Sequence, residues 1–323
     1  MRYFFENDMR KRARKVTRTR FLTSVTVGLL LSGLAWAVSP EQLAESERLR
    51  NATEMIRQET PIAPGIEHLH MHIQRGPRQP GPWNIHALKV DLTQPGVEVR
   101  IVEASGELET LSSICRRVGA VAAVNGGYLG EQAPCGLVVT DGRVRHSAVH
   151  SASPRAAFGL YENKAWIDLV TLRGESLVAE NPTNWFDWAK VRDVLGGGPR
   201  LIFKSKVAIN AEAEGFEENR QLNLDGYAPR TVLGLRKDRM FLVTIDGRQP
   251  DVSIGMKMSA AAGFLRRICG TPYAMALAGG DLTTMVIQGR VVNLPSGRDA
   301  EGRPGVEQPV ANAVCLFLKG EAP

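Results

Sequence analysis

The sequence predicts an α+β protein, a mixed multi-stranded sheet with a few packed helices. Three observations carry that expectation. Short apolar runs broken by Gly, Pro, Asn and Asp recur from residue 84 to the C-terminus, as in "NIHALKVDL", "VEVRIVEA" and "AWIDLVTL". Helical periodicity is convincing in only two places beyond residue 61, Leu108 to Val118 and Met256 to Ile268. A chain of 323 residues with 43% hydrophobic content is also large enough to bury a substantial core.

The N-terminus is set apart by charge. Arg2, Arg10, Lys11, Arg12, Arg14, Lys15, Arg18 and Arg20 precede the uncharged run "FLTSVTVGLLLSGLAWA" from Phe21 to Ala37. A basic head, an apolar stretch and small residues at Ala35 and Ala37 describe a signal peptide cut before Val38. Retention of 21–37 as a membrane anchor is the alternative, because an uncharged run of 17 residues is just long enough for a tilted span. Either way the rest of the chain is expected to be exported, periplasmic or secreted.

Those first 20 residues hold eight of the 40 basic and two of the 34 acidic residues, which leaves 32 of each in the remainder. A balanced body gives no reason to expect nucleic-acid binding. Membrane contact is expected only through the N-terminal segment.

Residues 38–60 read as a helical lead-in: Ser39 caps, Pro40 suits the first turn and Gln42 completes a capping box. Pro61, Pro64 and Gly65 end it, and a single domain is expected over 61–323. Cys115, Cys135, Cys269 and Cys315 match no metal spacing; one or two disulfides and buried free thiols are the two readings. "HLHMH" places His68, His70 and His72 on one strand face, but with no fourth ligand in view no metal is expected. No cofactor motif is present: "LGGGPRL" lacks the following lysine and helix of a phosphate loop.

The segment from Arg239 to Met285 is the most informative. "MFLVTI" ends at Asp246-Gly247-Arg248, a helix follows, and "YAMALA" ends at Gly279-Gly280-Asp281. Strand, helix, strand implies a crossover between parallel strands, with Asp246 and Asp281 at the same sheet edge, where such sheets place ligands. Gly279 and Gly280 permit positive φ and close approach, and Thr283 and Thr284 add hydroxyls. A plain tight connection remains the alternative. "AVNGGYL" similarly puts Asn125 at the polar tip of an apolar run.

In order, "AVNGGYL", "GLVVTDGRV", "LGGGPRLI", "APRTVLGL", "FLVTIDGR", "LAGGDLTTM" and "EQPVANAV" resemble the phosphodiester glycosidase family over about Ile66 to Leu318. The resemblance implies a mixed α/β fold with polar residues gathered in one cleft, and cleavage between a sugar's anomeric carbon and a phosphodiester oxygen. It carries over Asn125, Gly126, Arg230, Thr231, Arg248, Gly279, Gly280, Thr283, Thr284 and Asn312 as substrate-binding residues. Asp246 and Asp281 are the candidate catalytic residues: arginine forks suit a phosphodiester, and a carboxylate can activate water or attack the sugar.

Two positions depart from the family pattern. Ala278 stands where the glycine-rich loop usually has Asp, and Gln308 where the closing motif usually has Arg. Two expectations of function follow. One is an exported hydrolase of a sugar phosphodiester or related cell-envelope glycan, with Asp281 compensating for the lost carboxylate. The other is a non-catalytic envelope protein that binds a glycan or assists exopolysaccharide assembly.

Overall fold

The computed structural model describes residues 38–50, 55–74, 80–130, 134–147, 153–216 and 222–319. Contacts divide the chain into Met1–Ala35 and Trp36–Pro323, and the fold is that of the second unit. The signal or anchor expected over 1–37 lies outside the described residues. Among the described residues no helix is long and apolar enough to cross a membrane.

Three sheets share one core. The largest has eight strands in the order Ile56–Ala63, Ile66–Ile73, Trp83–Asp91, Arg239–Ile245, Arg230–Arg236, Tyr273–Ala276, Arg200–Phe203 and Lys206–Val207. A six-stranded sheet is centred on Lys164–Arg173, Arg155–Tyr161 and Asp193–Gly196, and a five-stranded one on Met285–Ile287, Ala122–Asn125 and Asn312–Leu318. Leu88 and Leu242 of the first, Phe158 and Ile167 of the second, and Val124 and Val314 of the third meet in one buried cluster. Fully burying each such side chain contributes about 1.5–3 kcal/mol.

The helices lie on two of these sheets. Leu111–Val118 begins where the Thr110 hydroxyl accepts from Ser113 N and stops at Gly119, φ 70°. Its Leu111, Ile114 and Cys115 pack on Ala123, Ala313 and Cys315. Met258–Phe264, continued by a π turn over Leu265–Cys269, sets Ala261, Ala262 and Phe264 against Val232, Val243 and Ala274. The four cysteines are free thiols, and a hydrogen bond to Cys115 together with burial pushes the Cys315 thiol up.

Two expectations need correction. The lead-in helix spans Pro40–Arg50 rather than running to residue 60, because Ile56–Ala63 pairs antiparallel with Ile66–Ile73 as an edge strand. Its capping box does form: Ser39 N donates to Gln42 Oε1 and Gln42 N to Ser39 Oγ, each at 3.1 Å. The expected parallel crossover is also different. Arg239–Ile245 and Tyr273–Ala276 run in the same direction, but Arg230–Arg236 lies between them and pairs antiparallel with both. Asp246 and Asp281 therefore still follow strands whose carboxyl ends share one edge, and Arg230 enters from that edge.

Candidate functional site

Along that edge opens a cavity of about 600 Å³. Of the residues singled out from the sequence, Arg230, Thr231, Arg248, Gly279, Gly280 and Asp281 line it. So do Ala278 and Gln308, the two positions that depart from the family pattern. Asn125, Gly126, Asp246, Thr283, Thr284 and Asn312 are buried and are not among its lining residues. They form the wall behind it.

Asn125 holds that wall together. Its Nδ2 donates to Ala278 O at 2.6 Å, while its Oδ1 accepts from Thr231 Oγ1 at 2.7 Å and from Thr284 N at 3.2 Å. One amide thus ties both ends of the glycine loop to the neighbouring strand. Beside it, Gly126 N donates to Asn312 O and Gly127 N to Asn312 Oδ1. A Cβ on Gly126 would sit 2.0 Å from Asn312 Oδ1 and 2.7 Å from its carbonyl oxygen. Gly126→Ala is therefore expected to cost about 1–3 kcal/mol by overpacking and to lower the melting temperature. An unchanged melting temperature would show that the two segments are not held this close.

Asp246 braces the same wall from the other side. Its carboxylate accepts from Asn84 Nδ2 at 2.7 Å, Asn293 Nδ2 at 2.8 Å and Leu294 N at 2.9 Å. Asn293 also donates to Thr283 O and accepts from Met285 N, which links Asp246 to the far end of the glycine loop. Burial pushes the Asp246 carboxyl up to about 6, against the pull of the three donors. Both of its oxygens already accept from protein donors, and at 1% exposure it lies behind the cavity lining, where it braces the wall.

Arg230 is 4% exposed. Its Nε donates to Met256 O, one terminal nitrogen to Leu222 O, and the other to Asn223 O and Gly226 O, at 2.6–3.0 Å. A guanidinium has five N–H groups, so these four bonds leave one. No carboxylate is paired with it among the described residues, and burial brings its pKa down to about 10. Arg230 is thus a structural tie for the 222–226 loop and a buried cation at the cavity wall.

Asp281 is different in kind. Its Oδ1 accepts from Arg248 at 2.6 Å and from the Ser296 hydroxyl at 2.5 Å, and Oδ2 takes no bond among the described residues. Both side chains are about half exposed, 50% and 49%, so the pair adds little stability but fixes the direction of the carboxylate. Tyr128 also lines the cavity; its hydroxyl donates to Gly198 O at 2.8 Å, and burial pushes its pKa up. It sits in "AVNGGYL", a motif in which the sequence marks only the asparagine and first glycine. Asn84, Asn293 and Ser296 carry no signal in the sequence, because their partners are remote along the chain.

Two of the three histidines of "HLHMH", His68 and His70, join this network, while His72 Nε2 meets Gln74 Nε2. The rings of His68 and His70 stack on His86, with centroids 5.2 and 4.2 Å away. His68 Nε2 meets His86 Nδ1 at 3.0 Å, and His70 Nε2 donates to Asn84 Oδ1 at 2.8 Å. Among the described residues no cluster of His, Cys, Asp and Glu is arranged for metal.

Burial, and then the charge of His70, lowers the His68 pKa from 6.5 to about 4. A base whose folded pKa is depressed contributes stability above pH 6.5 that is lost as pH falls toward 4, up to about 3 kcal/mol for this shift. Asp246, shifted upward, acts in the opposite direction, so the test is a difference. His68→Gln is expected to lose less melting temperature between pH 6.5 and 4 than the unaltered protein. Equal losses would contradict a neutral, desolvated His68.

The family model of the phosphodiester glycosidases matches residues 118–317, more than half of the chain. The chain belongs to the phosphodiester glycosidase family.

Solved structures agree at the level of the fold. A hypothetical protein from Synechocystis is similar with a TM-score of 0.65 and 15% identity over 83% of this chain. The match spans 64% of that protein's length. The catalytic domain of zebrafish N-acetylglucosamine-1-phosphodiester alpha-N-acetylglucosaminidase, auto-inhibited by its pro-peptide, is similar with a TM-score of 0.62 and 18% identity. That match covers 88% of this chain and 94% of the other. A Burkholderia pseudomallei protein described as exported has a TM-score of 0.52 and 17% identity, over 73% and 74% of the two chains. No curated protein matches.

Proposed function

We propose that this protein is an exported hydrolase that cleaves the bond between a sugar's anomeric carbon and a phosphodiester oxygen, in a cell-envelope glycan or related sugar phosphodiester. The observation that carries the reading is Arg230. A buried guanidinium without a carboxylate, bordering a cavity of about 600 Å³, has one N–H left for an anion. The volume suits a sugar with its phosphate.

In this reading the phosphodiester lies between Arg230 and Arg248, and the sugar faces Asp281. Water adds to the anomeric carbon as Asp281 takes its proton, and the C–O bond breaks with its electron pair going to the phosphate oxygen. A phosphate leaving group needs little protonation, so one carboxylate suffices. Asn125, Asp246 and Asn312 hold the wall and loop in place, and Thr231 steadies Asn125. Export is supported by the basic and apolar sequence before Val38.

Ala278 and Gln308 on the cavity wall favour a second reading, a glycan-binding envelope protein without turnover. Incubation of the purified protein with a panel of sugar 1-phosphodiesters separates the two. Free sugar released in time supports the hydrolase, and saturable binding without release supports the second reading. Neither release nor binding would reject both.

A further inference from the structure

We propose that the ligand carries a second negative charge on its leaving-group side, held in an arginine-lined recess beside the main cavity; this rests on the sugar-phosphodiester reading of that cavity. The recess has a volume of about 180 Å³ and is bordered by Arg50, Arg248, Gln249, Asp251, Val252 and Arg298. Arg248 lines both hollows, so a group bound at one is next to the other.

The recess is built on ordered core. Leu49, Val252 and Leu294 are at most 3% exposed and form one cluster, which fixes the C-terminal end of the helix Pro40–Arg50 and brings Arg50 to the rim. Gln249 Nε2 donates to Leu294 O at 2.9 Å, and the backbone of Gln249 closes a turn with Val252 and Ser253. Arg298 is steadied by a bond from its guanidinium to Gly302 O. Arg248 itself has φ +59°, a left-handed conformation that a residue with a Cβ seldom adopts.

The charges there are not balanced. Three guanidinium groups border the recess against the single carboxylate of Asp251. Asp299 and Glu301, on the same hairpin as Arg298, are taken by Arg303 at 2.8 and 3.0 Å. Among the described residues Arg50 and Arg298 are in no ion pair, while Arg248 is turned to Asp281. An exposed arginine is ordinarily just solvated; three around one hollow, one of them shared with the main cavity, make a site for an anion. A phosphate and a sugar carboxylate both meet that chemistry.

The test uses three substrates built on one sugar 1-phosphate: a methyl diester, a diester whose other arm carries a carboxylate, and one whose other arm carries a second phosphate. The double variant Arg50→Gln, Arg298→Gln is expected to raise KM for one or both charged substrates about tenfold, with kcat unchanged and the methyl diester unaffected. The difference should shrink in high salt. Which charged arm responds identifies the group. An equal change for all three, or none for the charged pair, would overturn the proposal.

Should the unaltered protein turn over none of them, the hydrolase reading fails, and the recess is decided by titration with pyrophosphate. Binding weakened about tenfold by the double variant, but not by Arg143→Gln at an exposed position on the six-stranded sheet, supports the recess. Equal binding by all three proteins overturns it.

Discussion

Replacing Asp281 with asparagine is expected to lower kcat by about 10²-fold or more while leaving the melting temperature nearly unchanged. The two halves of this expectation have separate causes. The asparagine side chain retains an oxygen to accept from Arg248 and Ser296, so the loop geometry survives. The pair is half exposed, and little stability is lost with its charge. What disappears is the second carboxylate oxygen, which belongs to the one carboxylate among the described residues that line the cavity and takes the proton from water in the proposed reaction. If Asp281→Asn is as fast as the unaltered protein, Asp281 is not the base. Asp246→Asn serves as the contrast: its three donors support the wall, and its loss should reduce melting temperature together with rate.

Arg230→Lys is the second large effect, and it falls on both stability and binding. The guanidinium reaches four backbone carbonyls spread over residues 222–256, whereas an ammonium has three donors on one atom and cannot span them. At least one buried carbonyl is left without a partner, at about 1–3 kcal/mol each. The 222–226 segment then loses its tie to the strand Arg230–Arg236. Thermal unfolding should show the stability loss. Phosphate titration should show weaker binding even at temperatures where the variant remains folded. A variant that melts and binds like the unaltered protein would remove Arg230 from both roles.

Several of these features are legible in the chain. The apolar run before Asp246 and the run before Gly279 mark buried strands, and their polar ends mark the edge where the cavity opens. Ser39 and Gln42 announce a helix start, and the periodicity from Leu108 to Val118 marks another helix, which spans Leu111–Val118. Local chemistry determines all of these. The strand Arg230–Arg236 is a different matter. Its pairing with Arg239–Ile245 is a hairpin closed across Lys237 and Asp238, but its pairing with Tyr273–Ala276 is long-range, and no local pattern specifies that second partner. The strand Ile56–Ala63 is obscured for another reason: its polar residues suit a helix until the neighbouring strand Ile66–Ile73 supplies hydrogen bonds.

The site divides along the same line. A resemblance in motif order brings the right segments together, yet it does not distinguish a side chain facing the cavity from one bracing its wall. Asp246 and Asp281 look alike in sequence, as carboxylates after apolar runs. Asn84, Asn293 and Leu294 occupy the first, and these lie 162, 47 and 48 positions away along the chain. Arg248 and Ser296 leave the second with a free oxygen. Tyr128 and Arg50 enter the two hollows from segments whose sequence reads as a turn and a spacer.

The central claim is that water attacks the sugar and phosphate leaves. Hydrolysis of a sugar 1-phosphodiester in ¹⁸O-labelled water, read by mass spectrometry of both products, tests it most directly. The account predicts the label on the anomeric oxygen of the released sugar and none in the phosphate. Label in the phosphate, with the sugar's anomeric oxygen unlabelled, would mean attack at phosphorus and would contradict it.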